Sequence, residues 1–183
     1  MKVVAVERGV SIFKCGESMN RLLRTVFLAG IFVSVTLLGS AGEKEHLKWM
    51  SFDEGIAHAK KNNKKVIIDV YTDWCGWCKR MDKDTYDNKD VATYLEKNYV
   101  VIKLNAESSK KLKFQDKDYT EQELSGAFGV TGFPTTIFLS SNGDPITLVP
   151  GYSDAKRFGH IISFIAEEHY LTTKFDDYVA SRK

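Results

Sequence analysis

Cysteine is scarce in this chain: 183 residues carry only Cys15, Cys75 and Cys78. A structural zinc site takes four thiolate or imidazole ligands, usually as two spaced pairs. One pair, Cys75-x-x-Cys78, is present, while His46, His58, His160 and His169 are scattered without ligand spacing. No metal and no cofactor is expected, and a thiolate carrier of copper or zinc would lack a methionine or histidine pair to complete it. Covalent haem is excluded because Lys79, not histidine, follows the second cysteine. A long apolar run is also missing, since the uncharged stretch 25–38 falls short of the roughly 20 residues of a spanning helix. Neither an internal repeat nor a second domain is evident.

What stands at the N-terminus reads as an export signal. Arg21 and Arg24 form a basic start, 25–38 is the apolar segment, and Gly39-Ser40-Ala41-Gly42 supplies small residues for cleavage. We assign 19–42 to a signal peptide, with an uncleaved N-terminal anchor as the alternative, and 1–18 to an extension from an upstream start codon. The whole chain has a formal net charge of +2. Residues 1–42 hold Lys2, Arg8, Lys14, Arg21 and Arg24 against Glu7 and Glu17, so removing them takes away +3 and leaves −1. A nucleic-acid footprint needs a basic surface on the mature domain, so nucleic acid is not an expected partner. Cys15 leaves with the signal. The remaining length, read as one domain over 43–171 with a tail 172–183, is enough for one core without disulfide staples, which frees Cys75 and Cys78 for chemistry.

Periodicity and caps outline alternating helices and strands. Ser51-Phe-Asp-Glu54 is a capping-box pattern ahead of a helix through Phe52, Ile56 and Ala59, which stops at the polar 60–63. The β-branched run 65–71 reads as a buried strand, followed at once by a helix from about Gly76. A further helix is expected over 88–98, with Val91, Tyr94 and Leu95 on one face, and a second buried strand over 99–104. That order argues for a right-handed βαβ unit with parallel strands. The polar, lysine-rich 106–119 reads as a loop, and Thr120-Glu-Gln-Glu123 as a capping box opening a helix to Phe128. Strands 135–139 and 146–149 form a hairpin across an Asn142-Gly143 turn. A last amphipathic helix carries Phe158, Ile161, Ile162 and Ile165 after an Asp154 cap, and the tail 172–183 can add a short helix through Phe175, Tyr178 and Val179.

Cys75 and Cys78 lie three apart at the first turn of the helix after strand 65–71, on one face and within reach of a short-loop disulfide. The helix dipole and the free amides at that turn favour a thiolate. So short a loop removes little unfolded-state entropy, which makes an inert structural bridge a weak use of it. Redox chemistry is the stronger reading.

The chain resembles the thioredoxin fold over about 48–168: an α/β class, βαβ then ββα, with a central mixed sheet flanked by helices. The resemblance rests on Trp74-Cys75-Gly76-x-Cys78-Lys79, on Asp69 six residues before Cys75, on Lys103 in the next strand, and on Val130-Thr-Gly132-Phe133-Pro134-Thr135, which looks like the family's cis-proline loop. Gly151 matches a glycine that helps form the substrate groove. Trp77 replaces the proline usual between the cysteines of cytoplasmic thioredoxins. With its signal, the chain looks closer to exported thioredoxin-like proteins, among them the C-terminal domain of the bacterial transmembrane disulfide reductase and stand-alone periplasmic relatives.

That resemblance implies a thiol–disulfide oxidoreductase acting on protein cysteines and recharged by a membrane electron donor. Cys75 is the exposed nucleophile and Cys78 the shielded resolver. Asp69 is a buried general base near Lys103, with simple pairing to Lys103 or exposure to solvent as the blander alternative. Phe133 and Pro134 present backbone to an extended substrate, Gly151 shapes its groove, and Trp74, Gly76 and Trp77 rim the cysteines. Gly76-Trp77 adds no charge between the sulfurs, which points to a reducing or mid-range potential of about −200 to −270 mV. The competing function is a non-catalytic binding module with a static disulfide.

Overall fold

The computed structural model describes residues 47–182. The signal peptide, the upstream extension, Cys15 and His46 lie outside the described residues.

Four strands make one mixed sheet in the order β2-β1-β5-β6. β1 (Lys65–Tyr71) is parallel to β2 (Tyr99–Asn105) and antiparallel to β5 (Thr135–Leu139), which in turn pairs antiparallel with β6 (Pro145–Pro150). Both βαβ and ββα halves are therefore where the alternation of the chain put them. Alternate side chains of a strand point to opposite faces, and β1 divides accordingly. Val66, Ile68 and Val70 meet Val100, Ile102 and Leu104 of β2 and Ile137 and Leu139 of β5, under α1 (Phe52–Asn62). Ile67 joins Val101 and Phe138 on the other face, beneath α3 (Lys89–Asn98) and α5 (Ala155–Ala166). Strands buried on both faces explain why β1 and β2 read as continuous apolar runs rather than alternating ones.

Helix ends are held by their caps. Asn88 accepts from the backbone of Asp90 and Val91 at the start of α3, and Asp154 from Arg157 at the start of α5. Thr120 and Glu123 complete a reciprocal capping box for α4 (Glu121–Ala127). At α1 only half of the expected box forms, the Glu54 carboxylate accepting from the Ser51 backbone N–H. The Ser51 hydroxyl donates to Glu54 at 2.6 Å and makes no cap bond to the helix backbone.

The segment 106–119 is not a loop throughout. It contains a hairpin of β3 (Lys111–Phe114) and β4 (Lys117–Thr120), a separate two-stranded sheet. Leu112 and Phe114 are buried while Lys111 and Lys113 face out, a period-2 pattern of only two apolar residues lost among lysines. Its turn residues Gln115 and Asp116 both have positive φ, 49° and 64°, the geometry usually signalled by Asn-Gly. The hairpin between β5 and β6 forms around the expected Asn-Gly signal, with β6 starting one residue earlier than expected. Five residues connect the strands, and within Asn142-Gly143 only the glycine is left-handed, at φ 90°. At the C-terminus, α6 (Phe175–Ser181) packs on α5, with the ring of buried Tyr178 5.2 Å from that of Phe164. No helix among the described residues is long and apolar enough to cross a membrane.

Candidate active site

β1 ends at Tyr71, and a tight turn in which the Cys75 N–H donates to the Thr72 carbonyl (3.1 Å) delivers the chain to α2 (Gly76–Met81). Cys75 is the N-cap of that helix. Its sulfur accepts the Cys78 N–H at 3.0 Å and is joined to the Cys78 sulfur in a disulfide, with the two Cα atoms 5.3 Å apart. An N-cap atom receives the partial positive charge of the helix start, so this position favours negative charge on Cys75. The expectation that Cys75 is exposed and Cys78 shielded does not hold for the oxidised pair. Cys75 is 4% and Cys78 3% accessible, the first sulfur being held at the helix start by the bridge and the Cys78 N–H.

Behind β1, Asp69 shares the sheet face of Ile67, the side on which Met81 and Tyr86 pack. It is 1% accessible, and its oxygens accept from Lys103 Nζ (2.6 Å) and the Tyr86 hydroxyl (3.3 Å). The two alternatives for Asp69 thus coexist, since it is buried and it is paired with Lys103. Burial raises its carboxyl above the ordinary range despite the nearby ammonium. Burial works against the Lys103 charge too, but Asp69 and Asp82 outweigh it and hold that lysine above its usual value. Burial, then the Asp69 charge, pushes the Tyr86 phenol well up, so it stays protonated and donates.

The other members of this cluster were not assigned to the site from sequence. Asp82 shares the Lys103 ammonium with Asp69. Tyr86 stands at the end of a π-helical turn, Asp82–Tyr86, that continues α2. Trp49 lies 4.7 Å from the ammonium, with the rings of Tyr71 and Tyr86 at 5.2 and 5.5 Å. The i, i+4 spacing of Asp82 and Tyr86 was a readable signal, since an extension of α2 puts both on one face.

Around the cysteines the structure brings together two aromatic pairs. Trp74, 68% exposed, meets Phe133 edge-on at 6.1 Å and donates its indole N–H to Glu107 at 2.9 Å. Trp77, 55% exposed, meets Tyr152 at 5.4 Å. Both tryptophans thus pack one part of the ring on a neighbour and leave the rest at the surface. The Phe133-Pro134 bond is cis, and the Pro134 carbonyl accepts the Gly151 N–H at 2.8 Å. Gly151 has φ 83°, a conformation that favours glycine. Gly76 has nothing near its missing side chain, so the floor between the cysteines is open. Glu107 and Tyr152 were also missed, since each depends on a loop whose path sequence does not reveal. Among the described residues no cluster of three or more His, Cys, Asp or Glu is arranged to hold a metal ion.

Comparison with known proteins agrees with this geometry. Over 116 residues the chain is 34% identical to the thiol:disulfide interchange protein DsbD of Vibrio cholerae, covering 63% of this chain and 16% of that protein. Over 99 residues it is 24% identical to the disulfide bond reductase DsbH of Chlamydia pneumoniae, covering 54% of this chain and 59% of the relative. The chain thus spans less than two thirds of either. A thioredoxin-fold protein from Helicobacter pylori superposes with a TM-score of 0.53 at 23% identity, over 66% of this chain and 80% of the other. A family model described as the thioredoxin-like domain matches residues 52–166, more than half of the sequence, and the chain belongs to that family.

Proposed function

We propose that the protein is an exported thiol–disulfide oxidoreductase that exchanges disulfides with protein cysteines, working as a reductant or mid-range exchanger. The observation that carries this reading is the Cys75–Cys78 disulfide at a helix start, with the Cys78 N–H on the Cys75 sulfur. The names of the DsbD and DsbH relatives support it.

In the reducing direction, the Cys75 thiolate attacks one sulfur of a substrate disulfide. A mixed disulfide forms and the first substrate thiolate leaves. Cys78 then attacks the Cys75 sulfur, the second substrate thiolate leaves, and the 75–78 disulfide closes. Two electrons pass from the protein to the substrate. Asp69, buried and with its proton affinity raised, takes the proton that Cys78 sheds. Lys103 positions that carboxyl. Phe133, Pro134 and Gly151 offer the backbone edge for an extended substrate segment, and Trp74 and Trp77 its apolar rim. A membrane electron donor returns the pair to the dithiol, since an export compartment is oxidising.

Insulin reduction by dithiothreitol tests the reading. The wild-type protein accelerates turbidity and Cys75→Ser does not; equal rates for the two favour the binding module. A potential near about −120 mV, the strongly oxidising extreme of the family, would exclude the reductant direction. Capture of a mixed disulfide by Cys78→Ser in the native host identifies the substrate.

A further inference from the structure

Arg80 is placed in a way that the exchange chemistry does not explain. Its guanidinium lies 5.2 Å from the Trp77 ring centre and 5.6 Å from that of Tyr152, so one cation covers both rings of an aromatic pair beside the disulfide. Nε donates to Asp84 at 3.1 Å. Both side chains of that i, i+4 pair are well exposed, and an exposed pair of this kind is readily exchanged for another carboxylate.

The opposing ring is held in place independently. Tyr152 follows Gly151, whose N–H is taken by Pro134, and precedes Ser153, whose carbonyl accepts the buried Thr85 hydroxyl at 2.7 Å. The loop is thus fastened to the Pro134 segment on one side and to the turn after α2 on the other. Trp77 comes from between the cysteines, Arg80 from the next turn and Tyr152 from the substrate-side loop. Together they form one wall of the mouth. Lys79 and Arg80 make the last turn of α2 basic, and its first turn has no acid. The other aromatic pair, Trp74 and Phe133, carries the acidic Glu107.

We propose that the Trp77–Arg80–Tyr152 stack is a specificity wall that recognises an extended polypeptide segment bearing a large apolar residue beside the target cysteine and a carboxylate on the Arg80 side. This rests on the exchange function proposed above and adds the class of substrate. The rings take the apolar side chain. The guanidinium, kept flat by them, presents its edge to the substrate carboxylate, for which Asp84 is the resident substitute in the free protein.

The test uses synthetic peptides dimerised through one cysteine, each with a neighbouring leucine and a third position that is Glu, Ser or Lys. Reduction, with dithiothreitol recharging the Cys75–Cys78 pair and its direct reaction subtracted, is followed at low salt, with a small aromatic disulfide as the reference substrate. For the wild-type protein kcat/KM for the Glu peptide exceeds that for the Lys peptide by about fivefold, the scale of one exposed charge contact. In Arg80→Gln the ratio falls toward one, and in Arg80→Glu it inverts. High salt compresses the wild-type preference. A merely structural Arg80 would lower all rates together. An Arg80→Glu protein that keeps the wild-type ratio, or a preference that ignores salt, overturns the wall while leaving thiol exchange intact. A wild-type protein that reduces neither the peptides nor the reference disulfide overturns the exchange reading, and the wall with it.

Discussion

Asp69→Asn is the substitution that separates proton handling from structure most cleanly. The native carboxyl is buried against Lys103 and Tyr86, and burial raises its pKa in the folded chain. In the unfolded chain it titrates near the ordinary value of about 3.9. Between those two values the folded state holds a proton that the unfolded state has released. Stability contributed by this group is therefore complete below about pH 4 and declines as pH rises through the folded pKa, after which it is flat. The slope is about 1.4 kcal/mol per pH unit within that interval. Asparagine keeps an oxygen for Lys103 and Tyr86 but cannot titrate, so it removes the slope. Lys103 retains Asp82 as a partner in the variant. Urea unfolding of both oxidised proteins, followed by circular dichroism from pH 5 to 8, reads the difference directly. Starting at pH 5 keeps clear of the ordinary carboxylates, and titrations common to both proteins cancel. The Asn variant should gain on wild type as pH rises, then run parallel to it. The same variant should slow the disulfide-closing step by about 10²-fold at neutral pH, the lower end of what a positioned base contributes. Stability curves that stay parallel from pH 5 to 8, with an unaltered rate, would refute the assignment of Asp69 as a buried base.

Three further substitutions probe the interior. A Cβ on Gly55 would sit 2.5 Å from Cγ1 and Cδ1 of fully buried Ile102; Gly55→Ala should cost about 1–3 kcal/mol of unfolding free energy. Ile102→Val should recover part of it in a double-mutant cycle, and additive losses would show that the two sites do not touch. The Thr72 hydroxyl is buried without a hydrogen-bond partner, so the isosteric Thr72→Val removes an uncompensated polar atom. It should raise the thermal midpoint of the oxidised protein by the equivalent of about 1 kcal/mol, and a lowered midpoint contradicts that account.

Local patterns were legible wherever one residue type had one physical use. Val66, Ile68 and Val70 had to be strand, and Asp154 and Thr120 had to cap, because few alternatives bury or satisfy those groups. The β3–β4 hairpin escaped because Leu112 and Phe114 are its only buried apolar residues and its Gln115-Asp116 turn lacks glycine. The half-formed box at Ser51 escaped because spacing shows that Glu54 can reach back, not which way the Ser51 hydroxyl turns.

The sequence by itself placed the cysteine pair, the acid on the strand before it, the lysine on the next strand and the βαβ and ββα halves of the sheet. The pair and the two halves follow from spacing within an element, where geometry is set by the helical and pleated repeats, while Asp69 and Lys103 were marked by the resemblance to the thioredoxin fold. Only the tertiary structure decided what surrounds them. Asp82 and Trp49 reach Lys103, Glu107 reaches Trp74, and Tyr152 meets Trp77 under Arg80. Each of these contacts joins residues carried on different elements or loops, and a loop's path follows from the packing of everything around it rather than from its own residues. The Cys75–Cys78 chemistry was thus written locally. The aromatic and charged contacts beside the pair came from the fold.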